Sequence, residues 1–225
     1  MTNNSRPPII WGILLAAGQG RRFAQARPGQ DKLLQPLPHG LSVLQTSTQA
    51  LAQHCAFTLV ITLPEHHQRH EQVHLMAQNQ NTVELFSSAA GHAGMGASLA
   101  AAALALEQRA TQEQQTPDGV LVALADMPGI QPSSYQAVIQ ALVSNPDKTE
   151  QKTTKRPFIA APTYAQQRGH PVGFSWALSK ELAQLKGDQG ARDLLKRYGC
   201  KMVSVQDPAV LKDIDHPEQL QDFQR

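Results

Sequence analysis

Short apolar runs alternate along the chain with longer segments in which apolar residues recur every three or four positions. A short apolar run predicts a buried strand, and the longer spacing predicts an amphipathic helix. Strands are predicted at residues 9–17, 57–63, 83–86, 119–125, 158–162, 171–174 and 202–205. Helices are predicted at residues 41–55, 65–78, 95–108, 132–143, 177–185, 191–198 and 217–223. Strands that alternate with helices indicate an α/β protein with three α/β/α layers and a mostly parallel sheet.

The remaining segments and the composition narrow the class of protein. Residues 1–8 predict a flexible tail and residues 144–157 a polar surface excursion, so residues 1–225 are interpreted as a single domain. A formal charge of +2 is too small for a typical nucleic-acid-binding protein. No apolar run approaches the roughly 20 residues that cross a bilayer. Cys55 and Cys200 form no CxxC pair, as is typical of a reducing compartment. We therefore expect a cytoplasmic protein whose partners include neither nucleic acid nor membrane.

A glycine-rich turn follows the first predicted strand. Gly18 and Gly20 leave the backbone N–H groups of this turn unshielded. Arg22 follows at once, and Lys32 comes after a polar loop. Backbone N–H groups and fixed cations at the carboxyl end of a strand suit a polyphosphate. The turn is neither a P-loop nor a complete dinucleotide fingerprint, because Phe23 stands where the third glycine would be. A tight turn with solvated arginines remains the alternative.

Two further polar groups are predicted at the same edge of the sheet. Gly94, Gly96 and Ser98 lie at the start of the third predicted helix, where glycines would let the chain lie against a flat ring. The alternative is an ordinary turn with Ser98 as a helix cap. Asp126 ends a predicted strand, and its carboxylate suits Mg²⁺ bound to nucleotide phosphates, although an Asp that caps a turn has the same pattern. Ligands of open α/β sheets bind at the carboxyl ends of strands, so we expect these groups to share one crevice.

Three polar residues in the last third of the chain are candidates for contacting a substrate. His170 precedes Pro171, which requires an extended backbone, and it suits either a hydrogen bond to substrate or a structural role at a strand entry. Asp188 suits a helix cap or a partner for substrate donors. The positive charge of Arg192 suits the binding of an anion. Capping is the simpler interpretation of this segment.

A metalloprotease-like motif stands apart from this pattern. His70, Glu71 and His74 form an HExxH match on a predicted helix, and His66 lies on the same helix face. The helix is polar and no third ligand follows downstream. A histidine-rich solvated helix is therefore the favoured interpretation, and a zinc site is the alternative.

Five stretches carry a resemblance to a known family. They are LAAG at residues 15–18, LADMP at 124–128, RGHPV at 168–172, GDQGARDLL at 187–195 and DIDHPE at 213–218. Together they resemble the MobA-like nucleotidyltransferases, and among these the molybdenum cofactor cytidylyltransferases. His216 replaces the usual threonine of the last stretch, and Gln219 replaces the usual acid. The resemblance implies a Rossmann-like domain of the nucleotide-diphospho-sugar transferase type.

The resemblance also implies roles for individual residues. Arg22, Lys32 and Asp126 would be catalytic, and Asp126 and Asp215 would bind Mg²⁺. The implied nucleotide-binding residues are Leu15, Ala16, Ala17, Gly18, Gly20, Arg22, Lys32, Gly94, Gly96 and Ser98. The implied acceptor-binding residues are His170, Asp188 and Arg192. A helix N-cap before Pro217 is the structural alternative for Asp215 and is compatible with metal binding.

The implied reaction moves CMP from CTP to the terminal phosphate of a molybdopterin-type cofactor and releases pyrophosphate. The guanylyltransferases of the same pathway usually read LAGG, so Ala17 favours CTP over GTP. The implied partners are CTP or GTP, a phosphorylated pterin-type acceptor, and a molybdoenzyme or its maturation chaperone. The alternatives are another sugar or cofactor cytidylyltransferase, a nucleotide-binding module without catalysis, and an HExxH zinc hydrolase.

Overall fold

The computed structural model describes residues 6–144 and 156–223. Residues 1–5 of the predicted tail and residues 145–155 of the predicted surface excursion lie outside the described residues, as do residues 224–225. The part of the tail that is described, residues 6–8, is exposed, and Arg6 lies 3.6 Å from the carboxylate of Asp118.

A mixed sheet forms the middle layer. Its strands are β1 (Ile10–Leu15), β2 (Phe57–Thr62), β3 (Val83–Ser87), β4 (Gly119–Leu124), β5 (Ile159–Tyr164), β6 (Gln167–Arg168), β7 (Val172–Ser175) and β8 (Lys201–Ser204). The order is β3-β2-β1-β4-β7-β5, and β6 and β8 also pair with β5. Strands β1 to β4 are parallel, and β7 runs antiparallel to both β4 and β5. The predicted mostly parallel sheet is confirmed.

Helices cover both faces of this sheet. They are α1 (Arg21–Ala26), α2 (Val43–Ala52), α3 (His67–Asn79), α4 (Met95–Gln112), α5 (Pro132–Val143), α6 (Ser179–Leu182) and α7 (Arg192–Tyr198). Side chains alternate along β1, so Ile10 and Leu14 join a core with α2, α3 and α5, whereas Trp11 and Ile13 join a core with α4, α6 and α7. Strands β1, β2 and β4 are buried on both faces, which explains their continuous apolar runs. The predicted three-layer architecture is confirmed.

Several predicted boundaries differ from the structure. Helix α2 is shorter than predicted because Ser42 caps it: its Oγ accepts from the Gln45 backbone N–H at 3.1 Å, and the Gln45 side chain accepts from the Ser42 N–H at 2.9 Å. The short helix α1 and strand β6 were not predicted. The predicted terminal helix is instead a 3₁₀ turn, Pro217–Phe223.

The parallel strands fix where the functional groups lie. Strands β1 and β4 are adjacent and in register from Ile10↔Gly119 to Leu15↔Leu124, so the segments that follow them leave the sheet side by side. Among the described residues, no helix has the length and apolar character needed to cross a membrane.

Candidate active site

A cleft of about 510 Å³ lies at the carboxyl ends of β1 and β4. It is lined by Leu15, Ala17, Gly18, Gln19, Gly20, Arg21, Gly91, His92, Ala93, Gly94, Met95, Ser98, Leu124, Asp126 and Asp188. The glycine turn, the start of α4 and Asp126 therefore share one crevice, as the strand order requires.

The glycine turn leads directly into α1. Gly20 precedes this helix with a left-handed backbone (φ 57°), a conformation that costs glycine little. The helix then carries Arg22, whose side chain is 72% exposed and donates a hydrogen bond to Oδ2 of Asp215. The early cationic turn and the late aspartate, 193 residues apart in sequence, are thus in contact.

Lys32 joins the two predicted metal-binding carboxylates. Its Nζ atom lies 2.6 Å from Oδ2 of Asp126 and 3.7 Å from Oδ1 of Asp215, and it donates to the Ile214 carbonyl oxygen at 2.9 Å. The Lys32 side chain is only 8% exposed, whereas those of Asp126 and Asp215 are 23% and 25% exposed. A nearly buried cation therefore lies between two carboxylates that solvent can reach.

A third carboxylate belongs to this cluster and was not predicted. Asp213 is exposed, but partial desolvation still raises its pKa, and the charges of Asp215 and Asp126 raise it further, while Lys32 acts in the opposite direction. The sequence did contain a signal, because Asp213 and Asp215 are two positions apart and extended backbone puts such side chains on the same side. The four charged groups Lys32, Asp126, Asp213 and Asp215 interact as one cluster.

The predicted base-binding glycines have a clear packing role. A Cβ on Gly94 would lie 2.7 Å from Cα of Asp188, and one on Gly96 would lie 2.8 Å from the Lys186 carbonyl oxygen. These glycines let residues 186–188 approach the start of α4. There the Asp188 carboxylate accepts the Met95 N–H at 3.1 Å, so it caps α4. Ser98 donates to the Gly94 carbonyl oxygen at 3.3 Å and still lines the cleft.

The other two candidates for acceptor binding lie in different surroundings. His170 has a buried Nδ1 atom without a hydrogen-bond partner among the described residues. Burial lowers the pKa of His170, while the Val122 backbone and the Asp126 carboxylate act to raise it, so the ring lies within electrostatic reach of the cluster. Arg192 is exposed at the start of α7 and is not among the described residues that line the cleft.

Two histidines of the HExxH helix have protein partners. The described residues contain no group of three or more His, Cys, Asp or Glu side chains that could hold a metal ion. His70 instead donates from Nε2 to the Leu63 carbonyl oxygen at 3.0 Å, and the Leu63 N–H donates to Nδ1 of His66 at 3.4 Å. Burial, together with the charge of Arg69, lowers the pKa of His66 to about 4. The prediction of a solvated histidine face is therefore wrong for His66 and His70, which are half-buried against the end of β2.

A buried arginine beside the glycine turn was also not predicted. Arg69, on α3, is 3% exposed and donates to the Ala16 and Gly18 carbonyl oxygens at 2.5 and 3.0 Å. It also forms an ion pair with Asp31, the residue before Lys32. A polar helix with weak amphipathic character gave little reason to expect a buried charge, although Arg69, Val73 and Met76 share helical spacing and are all buried.

Comparison with known proteins agrees with this geometry. Residues 12–203 match the family model of the MobA-like NTP transferase domain. Purine catabolism protein PucB of Bacillus subtilis is 27% identical over 220 residues, which cover 95% of each chain.

Solved structures share the fold. A nucleotidyl transferase from Methanothermobacter thermautotroptrophicus superposes with a TM-score of 0.67 at 20% identity and covers 93% of each chain. Molybdopterin-guanine dinucleotide biosynthesis protein A from Archaeoglobus fulgidus superposes with a TM-score of 0.59 at 16% identity, covering 93% of this chain and 94% of that one. The chain belongs to the MobA-like NTP transferase family, whose activity is nucleotidyl transfer.

Proposed function

We propose that the protein transfers CMP from CTP to the terminal phosphate of a molybdopterin-type cofactor, with Mg²⁺ and release of pyrophosphate. One observation carries the proposal: Lys32 lies between Asp215 and Asp126, and Asp126 lines the glycine-rich cleft. A cation and two carboxylates beside open backbone N–H groups suit a triphosphate and its metal ion.

The proposed chemistry needs little besides positioning and charge. A terminal phosphate oxygen of the acceptor attacks the α-phosphorus of CTP, a new P–O bond forms, and the bond from the α-phosphorus to the bridging oxygen breaks. Pyrophosphate leaves with that bonding pair. The attacking oxygen is already an anion, so no strong base is required. Arg22 and Lys32 would neutralise charge that develops on the phosphates, and the glycine turn would orient them.

The residues present fit Mg²⁺. Asp126 and Asp215 supply hard oxygen ligands, both lie within ion-pair distance of one nitrogen, and both are partly exposed. Two carboxylates are a typical protein contribution to Mg²⁺, which completes its shell with phosphate oxygens and water. When bound, the ion would neutralise phosphate charge and polarise the reacting phosphoryl group.

The nature of the acceptor rests on resemblance and on one structural neighbour. RGHPV and GDQGARDLL resemble the acceptor-side segments of the molybdenum cofactor enzymes, and the neighbour from Archaeoglobus fulgidus is a molybdopterin-guanine dinucleotide biosynthesis protein. His170, Asp188 and Arg192 remain the proposed acceptor-binding residues. A molybdoenzyme or its maturation chaperone would receive the product.

Ala17 is the observation that favours CTP over GTP. Its side chain lines the cleft, where the guanylyltransferase pattern LAGG would have only hydrogen. The added methyl group leaves less room for a purine. We expect Ala17→Gly to raise kcat/KM for GTP relative to CTP by roughly tenfold, which corresponds to about 1.4 kcal/mol.

A pyrophosphate-release panel tests the proposal. CTP, GTP, UTP and ATP are each offered with Mg²⁺ and either molybdopterin cofactor, methylerythritol phosphate or no acceptor. Release that requires both CTP and the molybdopterin cofactor supports the proposal. Release with GTP favours the guanylyltransferase alternative, and release with methylerythritol phosphate favours another cytidylyltransferase. CTP binding without release in any combination would indicate a module that binds nucleotide without catalysis.

Arg22→Met tests the contribution of the exposed cation. The side chain is 72% exposed, so its ion pair with Asp215 should add no more than about 1 kcal/mol to the free energy of unfolding. We expect nearly unchanged thermal stability, and a kcat/KM for CTP that falls by about 100-fold because a phosphate contact is lost. Arg27→Met, at an exposed arginine that follows α1, is the matched control and should retain wild-type kinetics. Wild-type kinetics in Arg22→Met would show that Arg22 does not contact the phosphates.

Substitutions in the HExxH motif separate this proposal from a zinc hydrolase. Glu71 is exposed, so Glu71→Ala should leave both stability and pyrophosphate release unchanged. His70→Ala removes the hydrogen bond to Leu63 and should cost about 1 kcal/mol of unfolding free energy while kcat is retained. Loss of turnover in Glu71→Ala, with zinc bound to the wild-type protein, would support the zinc-hydrolase alternative.

A further inference from the structure

Arg69 is the most deeply buried lysine or arginine among the described residues, and it has no place in the proposed chemistry. It is 3% exposed, it lies on α3, and it is not among the described residues that line the cleft. An arginine is rarely buried unless its donors are satisfied. Here the guanidinium group has four hydrogen bonds, and all four reach the two loops that carry the candidate phosphate-binding groups.

The first pair of hydrogen bonds fixes the carbonyl side of the glycine turn. Nη1 of Arg69 donates to the Ala16 and Gly18 carbonyl oxygens. Across a trans peptide the C=O and the next N–H point in opposite directions. The N–H groups of Ala17 and Gln19 therefore point away from the guanidinium group, and neither donates a hydrogen bond to another described residue. Both residues line the cleft, so Arg69 leaves two free donors beside it.

The second pair of hydrogen bonds fixes the turn that carries Lys32. Nε and Nη2 of Arg69 donate to the two carboxylate oxygens of Asp31 at 2.5 and 2.9 Å, which is a bidentate pair. Asp31 also accepts the Leu33 N–H at 2.9 Å and so caps the 3₁₀ turn Lys32–Leu34. The orientation of Lys32 toward Asp126 thus depends on a turn whose cap is held by Arg69.

We propose that Arg69 is a positioning residue that sets the glycine turn and the Lys32 turn at the spacing required by the phosphates of a nucleoside triphosphate. The inference rests on the proposed function, because it concerns the same site. Arg69 touches neither substrate nor metal and acts through the backbone of residues 16–18 and through Asp31.

Two variants of Arg69 and a matched control test this inference. Arg69→Met removes all four hydrogen bonds, and Arg69→Lys keeps the charge without the planar fork. Arg109→Met is the control, because Arg109 is also held by ion pairs, to Glu84 at 2.9 Å and Glu113 at 2.5 Å, and lies over the Phe57 ring. It is on the last turn of α4 and is not among the described residues of the cleft.

The deciding readout is the ratio of the Kd for cytidine to the Kd for CTP, measured well below the melting temperature of each variant. This ratio isolates the affinity that the phosphates contribute. We expect this ratio to fall by about 100-fold in Arg69→Met and Arg69→Lys, because a small misplacement of binding groups can weaken binding by that factor. The affinity for cytidine should be unchanged. Arg109→Met should lower the melting temperature and keep the wild-type ratio. The double variant Arg69→Met with Asp31→Asn should bind CTP no more weakly than Arg69→Met alone, because both changes break the same link.

Three results would overturn the inference: a wild-type ratio in Arg69→Lys and Arg69→Met, an equal loss for cytidine and CTP, or the same loss in Arg109→Met. If Arg69→Met does not fold, the ratio in Arg69→Lys decides alone. A wild-type protein that binds CTP but transfers nothing contradicts the proposed function only, since the ratio can still be measured. A wild-type protein that binds none of the four triphosphates contradicts both.

Discussion

Asp126→Asn is expected to lower kcat for pyrophosphate release by about 100- to 1,000-fold, the effect of removing one preorganised charge partner from a transition state. Asp126 is the carboxylate closest to Lys32, at 2.6 Å, and it lines the cleft. An amide has the same shape but neither neutralises Lys32 nor serves Mg²⁺ as an anionic ligand. Steady-state kinetics with CTP and acceptor at saturating Mg²⁺ measures the loss.

The fold should survive this substitution. Lys32 keeps its hydrogen bond to the Ile214 carbonyl oxygen and its ion pair with Asp215. We expect the melting temperature to fall by only a few degrees, as a cost of about 1 kcal/mol would produce. Asp222→Asn, at an exposed carboxylate in the 3₁₀ turn Pro217–Phe223, is the control and should have wild-type kinetics. Retained turnover in Asp126→Asn would show that Asp126 is not a metal ligand in the reaction.

Lys32→Met is expected to cost about 2–4 kcal/mol of transition-state stabilisation, measured as a 30- to 1,000-fold fall in kcat/KM for CTP. At the same time, Mg²⁺ or Mn²⁺ should bind the nucleotide-free variant more tightly than the wild-type protein, because Asp126 and Asp215 are no longer neutralised by a nearly buried ammonium group. Calorimetric titration with Mn²⁺ measures the second effect, and the opposite signs of the two effects are specific to a lysine placed between metal ligands.

The stability of Lys32→Met should also depend on pH. Lys32 opposes the rise in the pKa of Asp213, so its removal raises that pKa further above the unfolded value of 3.8. A carboxyl group whose pKa is raised by folding binds more protons in the folded state, and it therefore stabilises the protein as the pH falls toward that pKa. The difference in melting temperature between variant and wild type should therefore be largest at neutral pH and should narrow as the pH falls toward the raised pKa of Asp213. Lys180→Met, at an exposed lysine, should show no such change, and a constant gap in Lys32→Met would contradict the proposed cluster.

The layers of the fold could be predicted because strands that are buried on both faces have continuous apolar sequences. Strands β1, β2 and β4 are continuous apolar runs, and the polar groups that end β1 and β4 had to meet because adjacent parallel strands end together. Helix ends were harder to predict. The start of α2 depends on the reciprocal Ser42 and Gln45 hydrogen bonds, which outweigh the apolar pattern.

The site was predicted unevenly, for physical reasons. Lys32, Asp126 and Asp215 were expected near one another, and they are in contact. Asp213 was missed because its importance comes from the charges around it rather than from its place in a motif. Arg69 was missed because the sequence of a polar helix does not distinguish a buried arginine from a solvated one. The distinction depends on the carbonyl oxygens that accept its hydrogen bonds. Asp188 caps α4, a tertiary contact across 93 residues that spacing cannot reveal.

The position of the transferred label tests the central claim most directly. CTP labelled at the α-phosphorus is incubated with Mg²⁺, the molybdopterin cofactor and the protein, and the products are separated. We predict that the label appears in the cofactor product in an amount equal to the pyrophosphate released. Label found in CDP, in inorganic phosphate or only in unreacted CTP would contradict it.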